Sequence, residues 1–157
     1  MRNQRGFTMI ELIVVIVILG ILAATALPRF ISVQSDARAA KVNGALGAIK
    51  SAAALAHAQW LIGGASGTNV SMDGQAITLV NGYPTADVNG ILAAAQINAA
   101  ASGTPDFWLT TAGGAGVNTL LEISSDSAHL GCKAQYTSSA SAGASPTFGP
   151  PVAASSC

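Results

Sequence analysis

Charge is what this sequence has least of. Seven Lys and Arg and seven Asp and Glu are spread over 157 residues and cancel to a formal charge of zero. No basic stripe follows Lys50, which excludes nucleic acid as the main partner, because phosphate binding needs clustered cations. Aromatic residues are scarce, while alanine, glycine and serine are abundant. A core of small side chains buries little area at about 25 cal/mol per Å². Such a domain leans on a long helix, a covalent staple or neighbouring subunits. The two histidines, His57 and His129, have no acid or nucleophile at a telling spacing, so catalysis has nothing to work with. Gly113, Gly114 and Gly116 lack the lysine and the following helix of a phosphate loop. Asp73, Asp87, Asp106, Glu122 and Asp126 are scattered, which predicts a solvated face rather than a calcium site. No catalytic residue, metal site or cofactor is expected.

One apolar run dominates what remains. Arg2 and Arg5 form a short cationic leader; Gly6, Phe7, Thr8, Met9, Ile10 and Glu11 follow, and then an almost unbroken apolar tract to Leu27, stopped by Pro28. About 20 apolar residues cross a bilayer, so Phe7 to Leu27 is long enough to span, with the arginines holding the start of the chain in the cytoplasm. A carboxylate at Glu11 is costly there, about 2.5–3.5 kcal/mol near a bilayer centre and less near the interface. It needs a partner. Ala23, Ala24 and Ala26 imitate the cleavage site of an ordinary secretory signal. Against that alternative, a signal peptide has no use for Glu11, and the chain beyond Pro28 continues as helix.

Pro28 removes a backbone donor and is expected to kink the helix or locally melt it rather than end it, with Gly20 as a further weak point. Beyond it, Val42, Leu46, Ile49, Ala53, Ala56 and Trp60 recur at three- and four-residue steps, with Arg38, Lys41 and Lys50 off that stripe. A helix from Phe7 to about Ile62 would be ~84 Å long. That suits a filament subunit, half of it for a bundle and half as the spine of a head. Gly63, Gly64 and Gly67 end it. Val70–Met72 and Gln75–Val80 predict a hairpin around Asp73-Gly74, and Asn81-Gly82 predicts a second turn before Tyr83-Pro84. Asp87 or Asn89 caps a short helix from Ile91 to about Ala101. Phe107–Thr111, Thr119–Ser124 and Leu130–Thr137 are strand-like, the last carrying Cys132. The expectation is an α+β fold in which three or four antiparallel strands pack on the amphipathic half-helix.

The tail from Ser138 to Cys157 is mainly Ser, Ala, Gly and Pro, and left free it would be disordered by composition. A bridge between Cys132 and Cys157 would pin it to the sheet if this part of the chain reaches an oxidising compartment. Two unrelated free thiols are the alternative. Trp60, Trp108 and Tyr83 are placed in the core, although a sugar-stacking role would suit an adhesin.

The run Arg5-Gly6-Phe7-Thr8-Met9-Ile10-Glu11-Leu12 resembles the class III signal of type IV pilins and of type II secretion pseudopilins: glycine, phenylalanine, a glutamate four positions on, and an apolar helix ending near a proline. Pro28-Arg29-Phe30, Ser35-Asp36-Ala37-Arg38, Lys41-Val42 and Asn81-Gly82-Tyr83-Pro84 look most like the mannose-sensitive haemagglutinin branch of the pilins. The resemblance implies a cleaved leader (1–6), a transmembrane and filament-core helix (7–28), an amphipathic head spine (29–62) and an antiparallel-sheet head with a disulfide-closed C-terminal loop (63–157). It also implies a prepilin peptidase/N-methyltransferase that cuts between Gly6 and Phe7 and methylates Phe7. Glu11 then draws an incoming subunit into register, since a cation of one subunit against the carboxylate of another cancels most of the cost of burying either. The implied partners are identical and minor pilin subunits, the inner-membrane assembly machinery and, before assembly, the inner membrane itself; the end state is an extracellular pilus. The implied function is the major structural subunit of a type IV pilus for adhesion or motility. The alternative is a pseudopilin of a type II secretion export filament. The late cysteine pair and the lack of clustered carboxylates favour the pilin.

Overall fold

The structure, a computed structural model, describes residues 7–157; the leader, with the expected cleavage residue Gly6, lies outside the described residues, as do the side chains of 26–32. One helix organises the chain. α1 runs from Met9 to Ile62, 54 residues or about 80 Å at 1.5 Å per residue. Thr8, in extended conformation, is its N-cap, and Gly63 ends it. The next residue, Gly64, turns the chain with a φ of 90°. The helix is continuous through Pro28, with no melted stretch.

The second half of α1 lies on two small sheets. β1 (Asn69–Met72), β2 (Gln75–Val80) and β3 (Tyr83–Pro84) are antiparallel in that order. Both connections are two-residue turns in the left-handed region, Asp73-Gly74 with φ of 50° and 77° and Asn81-Gly82 with 53° and 82°. That geometry follows the strand twist and is the reason these dipeptides mark hairpins. β4 (Ala99–Ala100), β5 (Phe107–Ala112), β6 (Leu120–Ser124), β7 (Lys133–Thr137) and β8 (Thr147–Phe148) form the second sheet, also in chain order. β4 pairs parallel to β5 and every other neighbour is antiparallel. A bridge between Ala86 and Gly114 joins the two sheets. Gly113 makes that approach feasible: its φ is +60°, and a Cβ there would lie 1.8 Å from the Ala86 carbonyl oxygen.

Three sequence expectations need correcting. The head has eight strands, some of them two residues long, rather than three or four. The helix expected over Ile91–Ala101 is a single π-helical turn, Val88–Leu92, capped by Asp87, whose carboxylate accepts from the amides of Asn89 (3.1 Å) and Gly90 (2.7 Å). It stops early because Ala99 and Ala100 are taken by β5. Cys132 sits just before β7 rather than in it, in a turn where its amide donates to the His129 carbonyl at 3.0 Å.

The core lies between α1 and the larger sheet. Val42, Ile49 and Ala56 on the predicted stripe are fully buried, and Leu46 and Ala53 nearly so. Val42, Leu46, Ile49 and Ala53 meet Ile91, Leu121, Ile123, Ala134 and Tyr136. Tyr136 is the largest buried side chain, and its hydroxyl donates to the Pro84 carbonyl at 2.6 Å, tying the sheets together. Burial raises its pKa. Trp60 is only partly buried, against a smaller cluster of Ala56, Ile77 and Leu79.

Candidate assembly site

The N-terminal half of α1 has no core to join. Every large apolar side chain from Phe7 to Leu22 is between 47 % and 87 % exposed. A helix apolar all round is one whose final surroundings are other helices or lipid. Among the described residues no helix is long and apolar enough to cross a membrane.

Thr8 and Glu11 open the helix as a capping box. One Glu11 carboxylate oxygen accepts from the Thr8 amide at 2.9 Å and from its hydroxyl at 2.7 Å. The Glu11 amide in turn donates to the Thr8 hydroxyl at 3.3 Å. Two helix-end amides without intrahelical partners are thereby satisfied. Sequence reasoning took Glu11 as a group needing a partner and overlooked the one three residues away, although Thr-x-x-Glu before an apolar run is a readable signal. Phe7 stands outside the helix with its ring 87 % exposed.

At the other end of the chain, Cys132 and Cys157 are joined by a disulfide with Cα atoms 4.6 Å apart. Residues 150–157 are strapped onto α1 as well. The Asn43 side chain donates to the Val152 carbonyl at 2.9 Å and accepts from its amide at 2.8 Å, and Arg38 donates to the Cys157 carbonyl at 3.5 Å. Arg38 also pairs with Asp126 at 3.4 Å, and His129 Nδ1 donates to the same carboxylate at 2.7 Å. Burial works to raise the Asp126 pKa, but hydrogen bonds from His129, Ala128 and Ser125 together hold it below the ordinary value. Lys41 donates to the Asp106 carbonyl and to that of Ser125 at 3.0 Å. These cations fasten loops to α1.

Glu122 departs from the expected solvated face. It is 7 % exposed, pairs with Lys133 at 2.8 Å and accepts from Gln135 at 2.6 Å and Thr111 at 2.9 Å. Burial pushes its pKa up, and these donors outweigh it, so the carboxyl is held below its usual range. Among the described residues no three His, Cys, Asp or Glu side chains gather as a metal site would require.

The family described as "Prokaryotic N-terminal methylation motif" matches residues 1–27, the segment that contains Gly6, Phe7, Thr8 and Glu11. In its N-terminal signal and its long helix packed on an antiparallel-sheet head, the chain resembles the type IV pilins. It is 49 % identical over 57 residues to the type IV narrow pilus major component of Thermus thermophilus, a match covering 36 % of this chain and 49 % of that protein. It is 50 % identical over 52 residues to the type IV major alpha-pilin of Moraxella bovis, covering 33 % of each. The type II secretion system core protein G of Pseudomonas aeruginosa is 55 % identical over 53 residues, covering 34 % of this chain and 35 % of that protein. The chain thus spans a third to a half of the curated relatives it matches. No solved structure matches it. The pilin-like parts are a signal, a helix with a bare half, and a stapled head.

Proposed function

We propose that this pilin is the major structural subunit of a type IV pilus, held in the inner membrane by residues 7–28 before assembly and exported as a surface filament for adhesion or motility. In this reading a prepilin peptidase/N-methyltransferase removes residues 1–6 by cutting after Gly6 and methylates the new Phe7 amine. That amine remains a cation, and the Glu11 carboxylate of a neighbouring subunit is its counter-charge, so meeting it sets the axial register. Pro28 supplies a kink between the filament-core half of the helix and the half that carries the head, and the Cys132–Cys157 bridge keeps the head closed after export. The supporting observation is the bare half-helix: about four turns of exposed large apolar side chains are tolerable only when lipid or other copies cover them.

The Thr8–Glu11 box adds a step to this reading. A lone subunit satisfies the carboxylate from its own Thr8, and assembly trades those bonds for the neighbour's amine. Electron microscopy of surface filaments tests the proposal. Glu11→Leu is expected to leave the head folded and abolish filaments; wild-type filament number and length in that variant would overturn the register role. N-terminal sequencing of the mature protein is expected to start at Phe7.

The 55 % identity to a type II secretion core protein favours one alternative, an export-system pseudopilin. Deleting the gene separates the two readings: loss of surface filaments supports the pilin, and unchanged filaments with a secretion defect support the pseudopilin.

A further inference from the structure

Three Asn-Gly pairs occur in the chain, Asn43-Gly44, Asn81-Gly82 and Asn89-Gly90. In this dipeptide an asparagine side chain loses ammonia readily: the glycine amide nitrogen attacks the side-chain carbonyl carbon, and a residue without Cβ swings into reach easily. The fold treats the three pairs differently. Asn43 lies inside α1 with both ends of its side chain bonded to Val152, at 2.9 and 2.8 Å, so its carbonyl carbon cannot turn toward Gly44. Asn81 is fixed in a left-handed turn with a φ of 53°, and its Nδ2 is buried. Trp60 rests on Gly82, where a Cβ would come within 2.7 Å of the indole. Neither pair can react while the head is folded. Asn89, on the single π-helical turn Val88–Leu92, has its side chain in solvent.

What restrains Asn89 is the Asp87 carboxylate. One of its oxygens accepts from the Gly90 amide at 2.7 Å and from the Asn89 amide at 3.1 Å, and is itself fixed by the Thr85 hydroxyl at 2.9 Å. The Gly90 amide must give up its proton before it attacks, and a negative charge bonded to that N–H opposes the anion that results. We infer that Asn89 is the deamidation site of the head and that Asp87 is the positioning residue that slows the reaction. Hydroxide takes the Gly90 amide proton, that nitrogen bonds to the Asn89 side-chain carbon, and ammonia leaves with a proton from water. Water then opens the cyclic imide at either carbonyl, giving aspartate or isoaspartate. Isoaspartate lengthens the backbone by one carbon just before Gly90, where a Cβ would already lie 2.2 Å from the Thr85 carbonyl oxygen. Ile91 and Leu92, next in the chain, are core residues at 0 % and 2 % exposure. The modification therefore loosens the head as the protein ages.

The test does not depend on the filament proposal, because it is done on the full-length chain in detergent micelles. The protein is aged in warm, mildly alkaline buffer, and peptide mapping by mass spectrometry follows each asparagine, with isoaspartate methyltransferase labelling to mark the isoaspartate product. Asn89 is expected to convert first, while Asn43 and Asn81 stay intact. Asp87→Ala is expected to speed conversion at Asn89 by about tenfold, the scale of one hydrogen bond to a charged group. Asp87→Ser, which keeps an acceptor at that position, is expected to restore most of the protection. The thermal midpoint of the aged head is expected to fall. Aged Asn89→Gln, whose longer side chain closes the ring far more slowly, is expected to keep its midpoint. Conversion of Asn43 or Asn81 as fast as Asn89 overturns the site. An Asn89 rate that Asp87→Ala leaves unchanged, or acceleration at all three pairs alike, overturns the role of Asp87.

Discussion

Ile16 and Ile49 are the same residue on the same helix, yet Ile16 is 57 % exposed and Ile49 not at all. The difference lies in what is delivered to each half of α1. The second half is met by two sheets and a C-terminal strap from its own chain, and its small residues let those elements approach closely. The first half is met by nothing within the chain, although its side chains are larger and more apolar. Hydrophobicity alone therefore does not say where the core is. In a pilin-like subunit the most apolar segment is reserved for surroundings outside the protomer, and the head folds on a helix stripe built largely of alanine.

The sharpest way to break this comparison is at Glu11. Glu11→Leu is expected to remove filaments while leaving the head's thermal unfolding curve unchanged; a shift in that curve would mean that the two halves are not independent. Next come paired substitutions. Ile49→Ala is expected to cost the head about 4 kcal/mol, toward the upper end for a fully buried isoleucine. Ile16→Ala is expected to change it by less than about 0.5 kcal/mol, both read from denaturant unfolding in micelles. Reducing the Cys132–Cys157 bridge, or replacing both residues by serine, is expected to cost about 3.5 kcal/mol in the chain-entropy description for a separation of 25 residues, again in the head alone.

The smallest expected effect is on pH dependence. Glu122 is held below its usual pKa in the folded head, so its contribution is complete above the unfolded carboxylate value of about 4.3. It is lost as pH falls through the lower folded value. Glu122→Gln is therefore expected to flatten the loss of thermal stability between pH 5 and pH 2, while Glu11→Gln leaves the head's profile as it was.

Much of this was legible in the sequence because it rests on local rules. The helix from the apolar tract through the stripe to Gly63, the Asp73-Gly74 hairpin and the Asn81-Gly82 turn all follow from periodicity and turn chemistry. What escaped depends on partners distant in the chain. Nothing near Glu122 announces that Lys133, Gln135 and Thr111 converge on it, and nothing near Ala99 announces a parallel pairing with β5. His129 looked isolated, yet Asp126 is three residues away; their turn brings them together. Thr8 is the instructive miss, since its relation to Glu11 is local and was readable.

The reciprocal bonds between Asn43 and Val152 have a mechanical consequence. The amide of a helix side chain stands in for one rung of a strand ladder, so residues 150–157 are gripped by α1 at Asn43, at Arg38 and, through Cys157, by the turn before β7. A pull applied along the α1 axis reaches the sheet by sliding these fastenings sideways together, rather than by peeling them open one after another.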